Sequence, residues 1–140
     1  MDLAKYNTSA LEEEGAFLHL EGPEGERWMN EEGEPIGVTL LSINSKRIRE
    51  VVHKQQNRRL SKARVGRRGH VTGITSEAAE SDALEVLAAA TVSFSNLEWN
   101  GAPVTAEHAF KVYSKFHFIR EQVDEFINEE SHWLGEVSTS

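Results

Sequence analysis

Cysteine is missing from this 140-residue chain. That excludes disulfides and thiolate metal sites, and it fits a reducing compartment. Long apolar runs are missing too, and no stretch approaches the roughly 20 residues needed to span a bilayer. The opening segment "MDLAKYNTSALEEEG" lacks the basic-then-apolar order of a secretory signal. These absences point to a soluble, intracellular protein. Proline is scarce, at three residues, and Pro23, Pro35 and Pro103 all fall in turn-rich stretches. No internal repeat is visible. Gly66, Gly69 and Gly73 match neither a phosphate-binding loop nor a dinucleotide fingerprint. Apolar residues make up 39% of the chain, enough for the modest core of a single domain over residues 1–140.

Catalytic groupings are equally thin. The six histidines are His19, His53, His70, His108, His117 and His132. None pair at i, i+4 within one helix, so a metal site would need distant residues to converge. Glu107, Glu121, Asp124 and Glu125 fall on the polar faces of expected helices, whereas acid–base work needs a desolvated, fixed carboxyl. No nucleophile stands beside a base. The residues therefore point away from an enzyme, and no cofactor is implied.

What the chain does have is a partitioned charge. Its net charge is −8. Residues 1–45 hold ten acids and two bases, residues 46–70 hold ten bases and one acid, and residues 71–140 hold twelve acids and three bases. A block of +9 thus lies between blocks of −8 and −9. Such asymmetry marks a charged contact surface, within the chain, between copies or with a partner. Three readings of the basic segment 46–68 stay open. It could neutralise phosphates of a nucleic acid. It could dock on an acidic surface of a like subunit or partner. It could be a solvated helix end and loop. The segment has no interleaved aromatic residue and the rest of the chain is acidic, which argues against nucleic acid. Arg58, Arg59, Arg67 and Arg68 are its candidate contact residues.

Hydrophobic patterning predicts an α+β fold, mostly helical, with about four helices and a small N-terminal β-hairpin. Residues 1–15 are polar and expected to be loose. Ala16 to Leu20 and Ile36 to Ile43 read as two strands joined by the turn-rich acidic loop "EGPEGERWMNEEGEP". Ser45 caps a helix from Lys46 to about Ala63, whose inner face carries Ile48, Val51, Val52, Gln55 and Arg59. A mobile basic loop is expected over residues 65–75. Thr75 or Ser76 caps a third segment, a helix over about Glu77 to Thr91, with a small-residue stripe of Ala79, Ala83, Leu84, Leu87 and Ala88. Val92 to Trp99 is a connection to the turn Asn100-Gly101-Ala102-Pro103.

Two amphipathic helices close the chain. One runs from about Thr105, its cap, to His117, with Val104 as a staple residue. It carries Ala106, Ala109, Phe110, Tyr113 and Phe116. The other runs from about Phe118 to Trp133 and carries Ile119, Val123, Phe126 and Ile127. Both patterns follow the helical repeat. Phe110, Tyr113, Phe116, Val123, Phe126 and Ile127 are expected in the core where the two helices meet. Trp133 and Leu134, before a loose 135–140 tail, read either as an exposed binding patch or as a pair folded back on the core.

The stretch "FSNLEWNGAPVTAEHAFKVYSKFHFIREQVDEFINEESHWL" resembles the C-terminal part of the tail assembly chaperones of long-tailed bacteriophages. Trp99, the run Gly101-Ala102-Pro103-Val104, Thr105 opening a helix and the run Phe118-Ile119-Arg120-Glu121-Gln122-Val123-Asp124 carry the resemblance, mainly over residues 92–134. It implies a non-catalytic, largely helical protein that multimerises, here a homo-oligomer. Its partners would be the long helical tape measure protein, which it keeps soluble, and the tail tube protein, which it helps recruit. It would act in the host cytoplasm and be left out of the mature virion. Many of the family are made in a short and a frameshifted longer form, and this chain would correspond to a short form. The N-terminal hairpin and the basic block depart from the family pattern. Two other classes stand beside it: a nucleic-acid-binding or regulatory protein using segment 46–68, and another tail or connector component.

Overall fold

The computed structural model describes residues 13–65 and 76–129. The fold is α+β and mostly helical, with an N-terminal antiparallel strand pair, as the patterning predicts. Strand β1 (Ala16–His19) pairs with β2 (Gly37–Leu40), Phe17 opposite Thr39 and Leu18 opposite Val38. The sheet has a third member, drawn from the stretch that reads in the sequence as a connection. Residues Thr91–Ser95 form β3, antiparallel to β2, in the order β1-β2-β3. A lone hairpin is marginal in water, and β3 supplies the extra strand. Thr39 pairs with Ser93 and Leu40 with Thr91, so Val92 is bulged out and partly exposed. One sheet face carries Leu18, Val38 and Phe94 toward the core. On the other, the Phe17 ring lies over Gly37, where a Cβ would collide with it.

Four α-helices of seven residues or more occur among the described residues: α1 (Lys46–Val65), α2 (Ser76–Ala90), α3 (Ala109–Lys115) and α4 (His117–Asn128). Ser45 caps α1 as expected: it is fully buried, and the Ile48 N–H donates to its Oγ at 3.4 Å. Along α1, Ile48 and Gln55 are buried and Val51 and Val52 half-buried, whereas Arg59 is exposed. On α2 the buried residues are Leu84, Leu87 and Ala90, while Ala79 and Ala83 face outward. The expected small-residue stripe therefore holds only over Leu84, Leu87 and Ala88, the last half-buried against the core. Helix α2 packs against α1, α3 and α4. An Arg120–Glu80 ion pair adds a polar tie between α4 and α2.

The last two helices are shorter than their patterns suggest. Thr105 precedes a 3₁₀ turn (Ala106–His108) that leads into α3, and its N–H donates to His108 Nδ1 at 3.1 Å. Helix α4 ends at Asn128, with Glu129 extended, rather than reaching Trp133. Tyr113, Val123, Phe126 and Ile127 are buried as expected, and Phe116 is half-buried. Phe110 is the exception, 43% exposed, because α3 turns Ala109, Val112 and Tyr113 inward instead. The core joins Leu20, Val38 and Leu40 of the strand region to Ile48, Leu87, Val112, Ile119 and Val123 of the helices.

At its centre, the Thr91 hydroxyl donates to the Leu87 carbonyl at 2.9 Å. Its single proton being used there, the Tyr113 hydroxyl is the donor in the 2.6 Å bond between Tyr113 and Thr91. Both side chains are about 1% exposed, so this pairing satisfies two polar groups that would otherwise be costly to bury. Burial pushes the Tyr113 phenol far above its ordinary range.

Candidate interaction site

The 24 or so residues after β3 carry the tightest local signal in the chain, an Asn-Gly pair between short extended segments. Strands β4 (Glu98–Trp99) and β5 (Ala102–Pro103) pair antiparallel across it. Asn100 (φ 55°) and Gly101 (φ 79°) both lie in the left-handed region, as a two-residue type I′ turn requires. This hairpin holds Trp99 against α3. The Trp99 and Phe116 rings meet edge to face at 5.3 Å. Lys111 Nζ and Lys115 Nζ lie 5.6 Å and 5.9 Å from the Trp99 ring centre, within cation–π range.

A second aromatic arrives from the acidic loop. Residues 21–35 fold back as a ribbon: Leu20 N–H donates to Ile36 O, Trp28 N–H to Leu20 O and Ile36 N–H to Trp28 O. His19 Nε2 also donates to the Trp28 carbonyl at 3.0 Å. Gln122 of α4 clamps the ribbon from outside, its Nε2 donating to Glu21 O at 2.9 Å and its Oε1 accepting from Glu21 N–H at 2.6 Å. The result sets Trp28 edge to face on Phe118 at 5.6 Å.

Between the two aromatic pairs lies a cavity of about 320 Å³. Trp28, Trp99, Phe116 and Phe118 wall it, with Ile119 and Val112 behind them, and Glu98 is its one charged lining residue. A shallower, more polar notch of about 210 Å³ adjoins it across Trp99 and Val104, lined also by His108 and Lys111. An apolar cavity beside a cationic notch can hold an apolar side chain and a nearby anion. Among the described residues no group of three or more histidine, aspartate or glutamate side chains is placed to hold a metal. No helix among them is long and apolar enough to cross a membrane.

The residues singled out in the sequence lie elsewhere. Arg58 Nη2 pairs with Glu85 at 2.8 Å and Asp82 at 3.5 Å, and Arg59 Nη2 pairs with Asp82 at 3.2 Å. Both arginines thus tie α1 to α2, next to Gln55, whose Nε2 donates to Asp82 O and Glu85 Oε1. Arg67, Arg68, Trp133 and Leu134 lie outside the described residues, as do most of the stretches expected to be loose or mobile. Trp28, Trp99, Lys111, Lys115, Phe116 and Phe118 are site residues that the sequence reading does not single out as such. The Asn-Gly turn beside Trp99 was the signal that could have flagged one wall. Nothing local links Trp28 to Phe118.

Comparison with known proteins finds no family model that matches the chain and no similar curated protein or solved structure.

Proposed function

We propose that this protein is a non-catalytic tail assembly chaperone. It binds the extended, helical tape measure protein of a long-tailed phage, keeps it soluble and helps recruit tail tube subunits. The observation that carries this reading is the aromatic-walled cavity, lined mostly by residues 97–119 of the segment that resembles the family and completed by Pro23 and Trp28 of the acidic ribbon. Amphipathic helices are recognised in apolar grooves through anchors one turn apart, and aromatic side chains dominate such interfaces. The pairing of Arg58 and Arg59 with α2 carboxylates lowers the free positive charge of α1, which weighs against nucleic acid as the main partner.

The test is co-expression with the tape measure protein that this reading requires in the same genome, scored by its solubility and co-purification. The expected result is a soluble complex in the host cytoplasm, with the chain missing from purified mature particles by mass spectrometry. A partner equally insoluble with and without this chain would sink the reading. Recovery of the chain in mature particles would favour a tail or connector component instead.

A further inference from the structure

We propose that the cavity takes a large apolar side chain from a helical segment that also carries an aspartate or glutamate one turn away, the carboxylate meeting Lys111 and Lys115. This rests on the chaperone reading and specifies which parts of the helical partner are gripped. Three observations carry it.

The first is the division of chemistry at Trp99. On one side the lining is aromatic and aliphatic, with Glu98 as the exception. On the other are Lys111 and the polar notch. Trp99 is the shared wall, so one ligand can touch both.

The second is the state of the lysines. Lys111 and Lys115 stand at i, i+4 on α3 and are exposed. Neither takes part in any ion pair among the described residues. Arg58, Arg59 and Arg120 are each matched to a carboxylate, and the other lysines and arginines without an ion pair among the described residues, Arg27, Lys46, Arg47, Arg49 and Lys54, line neither the cavity nor the notch. Two unmatched ammonium groups beside an apolar cavity are complementary to an anion brought there by a neighbouring anchor.

The third is distance. Side chains at i and i+4 of a helix stand about 5–6 Å apart, close to the 5.6 Å and 5.9 Å between the Trp99 ring centre and the two ammonium groups. The lysines thus lie within one helical turn of the Trp99 wall, the range over which an anchor and an acid one turn apart on the same helix can both make contact. Glu98 sets the polarity, since a carboxylate on its side of the cavity would be repelled.

The probe is an array of overlapping peptides of about 15 residues, a length at which helix is within reach, tiling the tape measure protein that the chaperone reading requires in the same genome. Full-length chain is applied at low and high salt. The bound peptides are expected to share a large apolar residue with Asp or Glu three or four positions away. The double reversal Lys111→Glu with Lys115→Glu should lower that binding about tenfold or more at low salt, because like charges now face each other. Peptides with Lys in place of the acid should recover it. Both side chains are exposed but lie over the Trp99 ring, so a modest drop in melting temperature with a cooperative transition is expected, and Lys111→Gln with Lys115→Gln, which loses the same ring contacts without adding negative charge, is the control. Bound peptides with no acid bias, and binding indifferent to the reversal, would overturn the inference while leaving the chaperone reading intact. Absence of any bound peptide would overturn it too, and the co-expression result then judges the chaperone reading separately. If the reversal alters only the mass of the chain's own assemblies, the occupant is a second copy and the proposal is wrong.

Discussion

Tyr113 is the residue whose environment most constrains the fold. Its phenol is buried, donates to Thr91 and is held protonated far above the ordinary value near 10. Above that pH an unfolded chain releases the proton while the folded chain retains it. The unfolded state then binds fewer protons, and stability falls as pH rises. Below pH 10 the contribution is fully present. Tyr113→Phe removes the titrating group and should cost about 0.5–1.5 kcal/mol at neutral pH through the lost hydrogen bond. The gap between parent and variant should close as pH climbs past the ordinary phenol range. Melting curves of both proteins across neutral to strongly alkaline pH check this, and parallel curves would show that Tyr113 is not the alkaline-sensitive group.

Among the elements, α3 shows how a correct pattern can be assigned the wrong phase. The expected stripe runs through Ala106, Ala109, Phe110, Tyr113 and Phe116, whereas the stripe that faces inward runs through Ala109, Val112, Tyr113 and Phe116, with Val112 taking the place of Phe110. The 3₁₀ turn over Ala106–His108 has a tighter repeat than the α-helix, so a stripe drawn through both does not stay on one face. Phe126→Ala on α4 should therefore cost about 3–5 kcal/mol, while Phe110→Ala should fall within about 0.5 kcal/mol, as for surface positions. Chemical denaturation of the two variants separates them. Comparable losses would mean that α3 is rotated from the orientation described. The helix starts were more legible than the faces, because Ser45 and Thr105 act through bonds only three residues long.

At the scale of the whole molecule, the charge blocks of the sequence become surfaces. Glu21, Glu24, Glu26, Glu31, Glu32 and Glu34 are all exposed on the ribbon that packs on α4. Lys46, Arg47, Arg49 and Lys54 are exposed on α1. Opposite surfaces on one body favour association between copies. Light scattering at high protein concentration should show larger species at low salt and smaller ones at high salt, as the Debye length shrinks from about 10 Å at 0.1 M to 3 Å at 1 M. A mass that stays monomeric at low salt would exclude charge-driven assembly.

The sequence by itself determined the class of fold, the strand pair, the two long helices, the caps and the Asn-Gly turn. Each of these rests on periodicity or on hydrogen bonds between near neighbours, so a short window contains the cause. Only the tertiary structure decided that Thr91–Ser95 is a third strand, because its partner β2 is distant in the chain and its own pattern is broken by the bulge at Val92. The same holds for the aromatic cavity. Trp28 comes from the acidic ribbon, Trp99 from the hairpin, and Phe116 and Phe118 from the α3–α4 junction. Each is an ordinary apolar residue in its own segment. They acquire a common function only when core packing and the Gln122–Glu21 clamp bring the segments together.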